Sequence, residues 1–262
     1  MAKSKFEYVK KFEENDTRLL NCWIVVRIDG RSFHRFSETH GYTKPNDLRG
    51  LSLMNRCAKE VMNQFNDITI SYGESDEYSF VFKRTTTQFS RRKSKLMTNI
   101  VSLFSSSFVF HWNEFFGDTK LIYPPMFDAR VVIYPAIENI RDYMNWRQAD
   151  CHINNLYNTC FWTLVNKGGL STTEAESKLK GTLSGDKNEI LFTEYDINYN
   201  NEPDMFKKGS VLIRESYKEE VSKKDRQGND TGKMVKRARS KVIVLHEDII
   251  GDSFWLKYSN IL

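Results

Sequence analysis

Two stretches of the chain stop an apolar, β-like run on acidic residues: Asp29 in VVRIDGRSF, and Asp76 with Glu77 in GESDEYSF. If the two runs are neighbouring strands, Asp29 and Asp76 meet at one edge of a sheet, which suits a hard dication. Mg²⁺ keeps several waters and takes only one or two protein carboxylates beside phosphate oxygens. Two such ions about 4 Å apart can activate an attacking hydroxyl and steady the leaving oxygen of a displacement at phosphorus. Gly30 could add its carbonyl, since a residue without Cβ lets an ion and a phosphate come close. Taken singly, Asp-Gly is also a common turn dipeptide and GESDE a common hairpin tip. Phosphate-compatible residues lie around both. GRSFH offers Arg31 and backbone N–H groups at a helix start. In RRKSK, Arg92 and Lys95 are three apart on one helical face, either as a solvated first turn or as a triphosphate contact. Cations at a helix N-terminus oppose the dipole unless an anion is present.

The surrounding pattern supplies the elements. CWIVVRID reads as a buried strand, and GRSFHRFSETHGYTKPND as a turn, a short helix and a loop punctuated by Gly41 and Pro45. Residues 46–66 carry Leu51, Met54, Ala58, Val61, Met62 and Phe65 at helical spacing, and DITISYGESDEYSFVFKR is a hairpin. A long helix is expected from Phe89 to about Phe116, with Leu96, Ile100, Leu103, Phe104 and Phe108 as its apolar stripe, then a strand in FDARVVIYP. This order predicts an α+β fold, an antiparallel sheet with helices on one face. Phe6, Val9 and Phe12 predict a short amphipathic helix at the start. From Ile137 the texture changes to an Asn- and Trp-containing helix over 141–167, a short helix at 173–180, polar loops and a basic strand region. A boundary near Ile137 divides 1–137 from 138–262.

At 262 residues, with 40% hydrophobic and 13% aromatic content, the chain is ordinary for a globular protein. MAKSKFEYVKKFEEND has neither a secretory nor a transit pattern, so the mature chain is expected to begin near Met1. IVSLFSSSFVFHW is interrupted by Ser105, Ser106, Ser107 and His111, too polar for a membrane span; a soluble protein is expected, and cytoplasm, nucleus or an organelle remain open. Cys22, Cys57, Cys151 and Cys160 lack metal spacing and fit buried thiols. Residues 207–241 hold twelve Lys or Arg against five Asp or Glu, within a formal net charge of +5. That segment is either a solvated hairpin or loop, or a contact for a polyanion.

SKFEYV, VVRIDGRSFHRF, KPND, YGESDEYSFVF, RRKSK, DCHINNLYNT, GDKNEIL and INYNNEPDMFKKG together resemble the eukaryotic form of the tRNA(His) guanylyltransferase family, over nearly the whole chain. The resemblance implies a palm-like catalytic domain in 1–137 and a tRNA-recognition and oligomerisation region in 138–262. It implies addition of guanosine to the 5′ end of tRNA(His), in the 3′–5′ direction. ATP adenylylates the 5′-monophosphate, the 3′-OH of GTP displaces AMP, and pyrophosphate is removed. By resemblance, Asp29, Gly30 and Asp76 bind two Mg²⁺ ions; Asp29, Gly30, Arg31, Ser32, Phe33, His34, Ser75 and Asp76 contact a nucleoside triphosphate; and Glu77 is an acid needed for activity. Lys44, Asn46 and Asp47 match a loop near the activating nucleotide, and Arg92 and Lys95 match triphosphate-contacting cations. Tyr42 stands where the family usually has phenylalanine beside the activating base. Unstacked anticodon bases are read by stacking and edge hydrogen bonds. His152, Asn154, Asn155 and Asn158 have side chains of that kind, and Lys187, Lys207 and Lys208 could hold the RNA; His152 and Lys187 are the anticodon readers the resemblance implies. It also implies a homotetramer of two dimers. A palm-type nucleotide cyclase and a non-catalytic tRNA-binding protein are the alternatives.

Overall fold

The computed structural model describes residues 4–224 and 230–262. Its frame is a six-stranded antiparallel sheet of β1 (Trp23–Arg31), β2 (Ile68–Glu74), β3 (Glu77–Phe82), β4 (Met126–Tyr134), β5 (Ser210–Lys224) and β6 (Asp230–Leu245), in the order β4-β1-β3-β2-β5-β6. β1 lies inside the sheet between β4 and β3, and its successive residues feed two different cores. Ile24, Val26 and Ile28 face one side, Trp23 and Val25 the other.

On the first side lie α1 (Phe33–Thr39), α2 (Leu48–Gln64), α3 (Lys93–Phe110) and α4 (Trp112–Phe116). Leu53, Cys57 and Val61 of α2 and Leu96, Ile100 and Phe104 of α3 are fully buried against the sheet. This is the expected α+β arrangement. The opposite side is covered by α5 (Ile137–Asn166), whose Ile140, Tyr143 and Met144 pack on Val25, Ile70 and Val81, and by α9 (Asp252–Lys257). The far half of α5 builds a separate core with α6 (Thr172–Leu179) and α7 (Ser184–Tyr195) through Leu156, Cys160, Leu179 and Leu191; α8 (Asp204–Lys208) leads into β5. At about 1.5 Å per residue, the 30 residues of α5 make a rod that joins the two cores.

Several expectations are corrected. The amphipathic start is a 3₁₀ turn, Glu7–Phe12, with no buried residue, so its Phe6, Val9 and Phe12 have nothing to pack on in one chain. The long helix from Phe89 is broken: Gln88–Arg91 is a 3₁₀ turn with Phe89, Ser90 and Arg91 all at positive φ, and His111 separates α3 from α4. Polar loops were expected after residue 180, yet α7 and α8 form there. The basic segment is a two-stranded ladder whose charges pair across it, Lys241 with Glu215 at 3.0 Å and Arg239 with Glu219 at 3.0 Å. Asp225 and Arg226 of that segment, and Met1, lie outside the described residues. Cys57, Cys151 and Cys160 are buried thiols and Cys22 is half-buried. No helix among the described residues is long and apolar enough to cross a membrane.

Candidate active site

Sheet register builds the acidic edge. Asp29 stands directly opposite Glu77 on β3 and Asp128 on β4, and Glu77 stands opposite Glu74 on β2. Directly opposed residues of antiparallel pairs share a face. A row of four carboxylates, Asp128, Asp29, Glu77 and Glu74, therefore crosses one end of the sheet on the side of α5. Asp76 lies in the tight turn after Ser75, which takes φ +48°, and its Oδ1 accepts from the Ser75 hydroxyl at 3.0 Å. Its Oδ2 reaches to within 2.7 Å of where a Cβ on Gly30 would sit, so only glycine leaves room for it there. Burial, and then the charge of Asp29, push the Asp76 carboxyl up to about 6.

The helix α5 supplies the counter-charge. Arg147 Nη1 donates to both oxygens of Glu77 at 3.1 and 3.2 Å and lies 3.8 Å from Glu74 and 3.5 Å from Asp150, while its guanidinium stacks 3.5 Å from the Trp146 ring centroid. Arg27 Nε is 3.4 Å from Glu77. Glu77 is thus turned toward two arginines. Glu74 is pushed up to about 8, by burial first and then by Glu77 and Asp150. Glu74, Arg147 and Asp150 escaped the sequence reading. The signal for Arg147 and Asp150 is the helical step along α5, where Arg147, Asp150, Asn154 and Asn158 recur at three- and four-residue intervals on one face.

Two cavities meet at this edge. One of about 310 Å³ lies between the sheet end and α5, lined by Asp29, Glu74, Asp76, Arg147 and Asn154. The other, about 490 Å³, lies between the α1–α2 loop and α5, lined by Phe33, His34, Tyr42, Lys44 and Trp162. Asn46, Ser75, Asp76 and Asn158 border both. Volumes of this size hold nucleotide-sized ligands.

The residues named from sequence fall into three groups. The first borders the cavities: Asp29, Asp76, Ser75, Phe33, His34, Tyr42 and Lys44, with Gly30 in contact and Ser32, at φ +53°, starting α1. Lys44 Nζ donates to the Ser37 hydroxyl at 3.2 Å and lies 5.7 Å from the Trp162 ring centroid. Tyr42 stacks on Phe116 at 5.1 Å, and its hydroxyl is buried without a partner.

The second group is committed to holding structure. Asp47 caps α2, accepting from the backbone N–H of Thr43, Arg49 and Gly50 and from the Arg49 guanidinium. Burial would raise its carboxyl, but these donors outweigh that and hold it below the usual carboxylate range. Asn46 Nδ2 donates to Asn155 Oδ1, and Asn155 Nδ2 donates to the Tyr199 hydroxyl, each at 2.8 Å. Asn155, expected at the RNA, is buried and uses both amide ends internally.

The third group borders neither cavity. Arg31 is exposed and borders neither cavity. Arg91 binds the carbonyl of Cys22, just before β1, so Arg92 and Lys95 lie toward the end of β1 opposite Asp29, about 20 Å away at the rise of a strand. The anion at the start of α3 is Asp16, which accepts from the Ser94 N–H at 2.6 Å and lies 3.5 Å from Arg92 Nε. The mismatch between cations and dipole is met by this side chain, so it does not itself point to a ligand. His152 is exposed, with its ring 5.6 Å from that of Tyr199. Lys187 donates to the Thr182 carbonyl at 2.8 Å, Lys207 to that of Asn200 at 2.5 Å, and Lys208 to Asp204 at 3.0 Å.

Asp29 and Asp76 come from separate segments, like charges whose repulsion a dication would relieve, beside Gly30, where a Cβ would collide with Asp76 Oδ2 and Phe33. This donor set fits a hard, oxygen-ligated cation that keeps much of its water. Among the described residues no third acid, His or Cys joins them as a ligand cluster.

A family model described as "tRNAHis guanylyltransferase" matches residues 6–135, and one described as "Thg1 C terminal domain" matches 138–251. The chain is 56% identical over 265 residues to the Homo sapiens protein named "Probable tRNA(His) guanylyltransferase", covering all of this chain and 89% of that one. It is 52% identical to the "tRNA(His) guanylyltransferase" of Neurospora crassa, covering 97% of this chain and 94% of that one. The crystal structure of the Saccharomyces cerevisiae tRNA(His) guanylyltransferase is similar at a TM-score of 0.77 and 53% identity, over 80% of this chain and 93% of that one.

Proposed function

This chain belongs to the tRNA(His) guanylyltransferase family, and we propose that it is a nucleotidyltransferase that adds GMP to the 5′ end of tRNA(His), in the 3′–5′ direction. A 5′-phosphate oxygen of the tRNA attacks the α-phosphorus of ATP and pyrophosphate leaves. The GTP 3′-OH then attacks the adenylylated phosphorus and AMP leaves, after which pyrophosphate is removed from the new 5′ triphosphate. The observation that carries this reading is the Asp76 carboxylate lodged over Gly30 beside Asp29, at the seam of two nucleotide-sized cavities.

Asp29, Asp76 and the Gly30 carbonyl would hold the Mg²⁺ pair, which would supply charge neutralisation at the reacting phosphorus. Glu77 acts one step back: held by Arg147 and Arg27, it fixes the acidic row and docks α5 on it. Lys44 and Asn46 border the cavity assigned to the activating nucleotide, with the Tyr42 ring in its wall. Asp47 shapes that loop by capping α2.

Residues 1–137 serve in this reading as the palm-like catalytic part and 138–262 as the tRNA-recognition and oligomerisation part, with His152 and Lys187 toward the anticodon. β5 pairs with β2, so the second part completes the sheet of the first. At about 20 Å within one chain, Arg92 and Lys95 reach a triphosphate at the acid pair only from a second copy. That calls for more than one copy, in keeping with the homotetramer of two dimers in this reading.

The test supplies 5′-phosphorylated tRNA(His) transcript with ATP, labelled GTP and Mg²⁺, and sequences the 5′ end. One added guanosine is expected, abolished in Asp29→Ala and Asp76→Ala proteins of unchanged circular dichroism. A cyclic product from GTP alone would establish a cyclase instead, and tRNA binding without incorporation a non-catalytic binder.

A further inference from the structure

The segment that launches α3 is held in an unusual way. Phe89, Ser90 and Arg91 take φ of +50°, +52° and +60° in succession, although none is glycine. Left-handed residues of this kind persist only where the surroundings over-determine them. Here the surroundings converge on one side chain. Arg91 is 2% exposed, and its five N–H groups are directed at five backbone carbonyls: Nε at Arg18 (3.3 Å), Nη1 at Arg84 (3.4 Å) and Thr86 (3.0 Å), and Nη2 at Leu19 (2.5 Å) and Cys22 (2.8 Å). The acceptors belong to two segments, the approach to β1 and the exit from β3. The Arg91 carbonyl accepts from the Arg18 N–H at 2.9 Å, and the Asp16 carbonyl from the Lys93 N–H at 3.0 Å. The cation is therefore held by carbonyl dipoles, and the cost of its burial is offset only while that geometry is complete.

We propose that Arg91 is a positioning residue for triphosphate binding: by clamping residues 18–22 to 84–86 it fixes the left-handed turn from which Arg92 and Lys95 are presented. This rests on the reading of Arg92 and Lys95 as triphosphate contacts made above. Lysine could not replace it, because three donors on one nitrogen cannot span carbonyls that the planar guanidinium reaches from three.

Two variants perturb the turn by independent routes. Arg91→Lys removes the clamp. Ser90→Val, at an exposed position, leaves Arg91 intact and penalises the left-handed backbone with a β-branched side chain. Both should raise the KM for GTP about fivefold or more while kcat per folded molecule changes less than about twofold. Adding Ser90→Gly to Arg91→Lys should recover part of the KM, since glycine takes this conformation without strain. Arg92→Ala and Lys95→Ala, run beside them, should raise the same KM. A lowered melting temperature with unchanged KM in both turn variants would leave Arg91 a stabilising residue only and overturn the proposal while the Arg92 reading stands. Unchanged KM in Arg92→Ala and Lys95→Ala would remove the premise and overturn both.

Discussion

Asn46 and Asn155, 109 positions apart, share a 2.8 Å amide hydrogen bond, and through it the loop that shapes the second cavity is tied to α5. Asn155 passes the connection on to the Tyr199 hydroxyl, whose ring meets His152. Asn155→Ala leaves both partners inside the fold without it and should cost about 1–3 kcal/mol. A double-mutant cycle with Asn46→Ala should show coupling of about 0.5 kcal/mol or more in urea denaturation. Strict additivity would mean that the bond does not hold the loop.

Gly30→Ala places a methyl 2.7 Å from Asp76 Oδ2 and 2.7 to 2.9 Å from the Phe33 side chain. The flexible carboxylate yields more readily than the ring. The fold should survive with about 1–3 kcal/mol lost, while guanosine addition falls at least about a hundredfold, as for a displaced reacting group. Full activity in a labelled-GTP assay would contradict the placement of Asp76.

The carboxyls of Glu74 and Asp76 are raised to about 8 and about 6, from ordinary values of 4.5 and 3.8. The native state therefore holds these protons more tightly than the unfolded chain. Their contribution to stability is fully present below about pH 4 and is lost as pH rises through 6 and then 8. Of the groups that face Glu74, Glu77 and Asp150 oppose its ionised form, whereas Arg147 and the Cys151 thiol favour it. Melting of the metal-free protein should fall across that window, by a contribution on the order of a few kcal/mol. Glu74→Gln should flatten the limb near pH 8.

Arg147→Met should be strongly pH-dependent in its cost. Above pH 8 it leaves Glu74 and Glu77 buried without their main cation, a loss of about 3–5 kcal/mol. Near pH 5, Glu74 is protonated and the loss shrinks. Equal urea midpoint shifts at the two pH values would argue against the network as described.

Asp47→Asn keeps a capping oxygen, whereas Asp47→Ala removes it at a cost of about 1–2 kcal/mol. If capping is the role of Asp47, the Asn protein retains a near-normal KM for ATP and the Ala protein does not. Equal damage from both would return Asp47 to the nucleotide.

Much of the site was legible because it is local. The β-branched run in WIVVRID and the two runs around GESDE define β1 and the β2–β3 hairpin without outside help, and the acids sit where those runs stop. α7 was missed because its residues are mostly exposed, with Leu191 alone buried, so no broad apolar stripe marks it. The start of α3 was misread because helical periodicity cannot register a left-handed turn whose support comes from carbonyls up to 73 positions away.

The amino-acid order by itself determined the strands, the central helices, the chemical identity of the acidic edge and the family. Tertiary structure alone decided what each charge meets: Glu77 meets Arg147 across 70 positions, Asp16 the Ser94 N–H across 78, and Asp76 the bare backbone of Gly30. The reason is physical. Secondary structure follows from side-chain spacing over a few residues, whereas a buried charge takes its pKa and its partner from whatever the packed chain brings within a few ångströms.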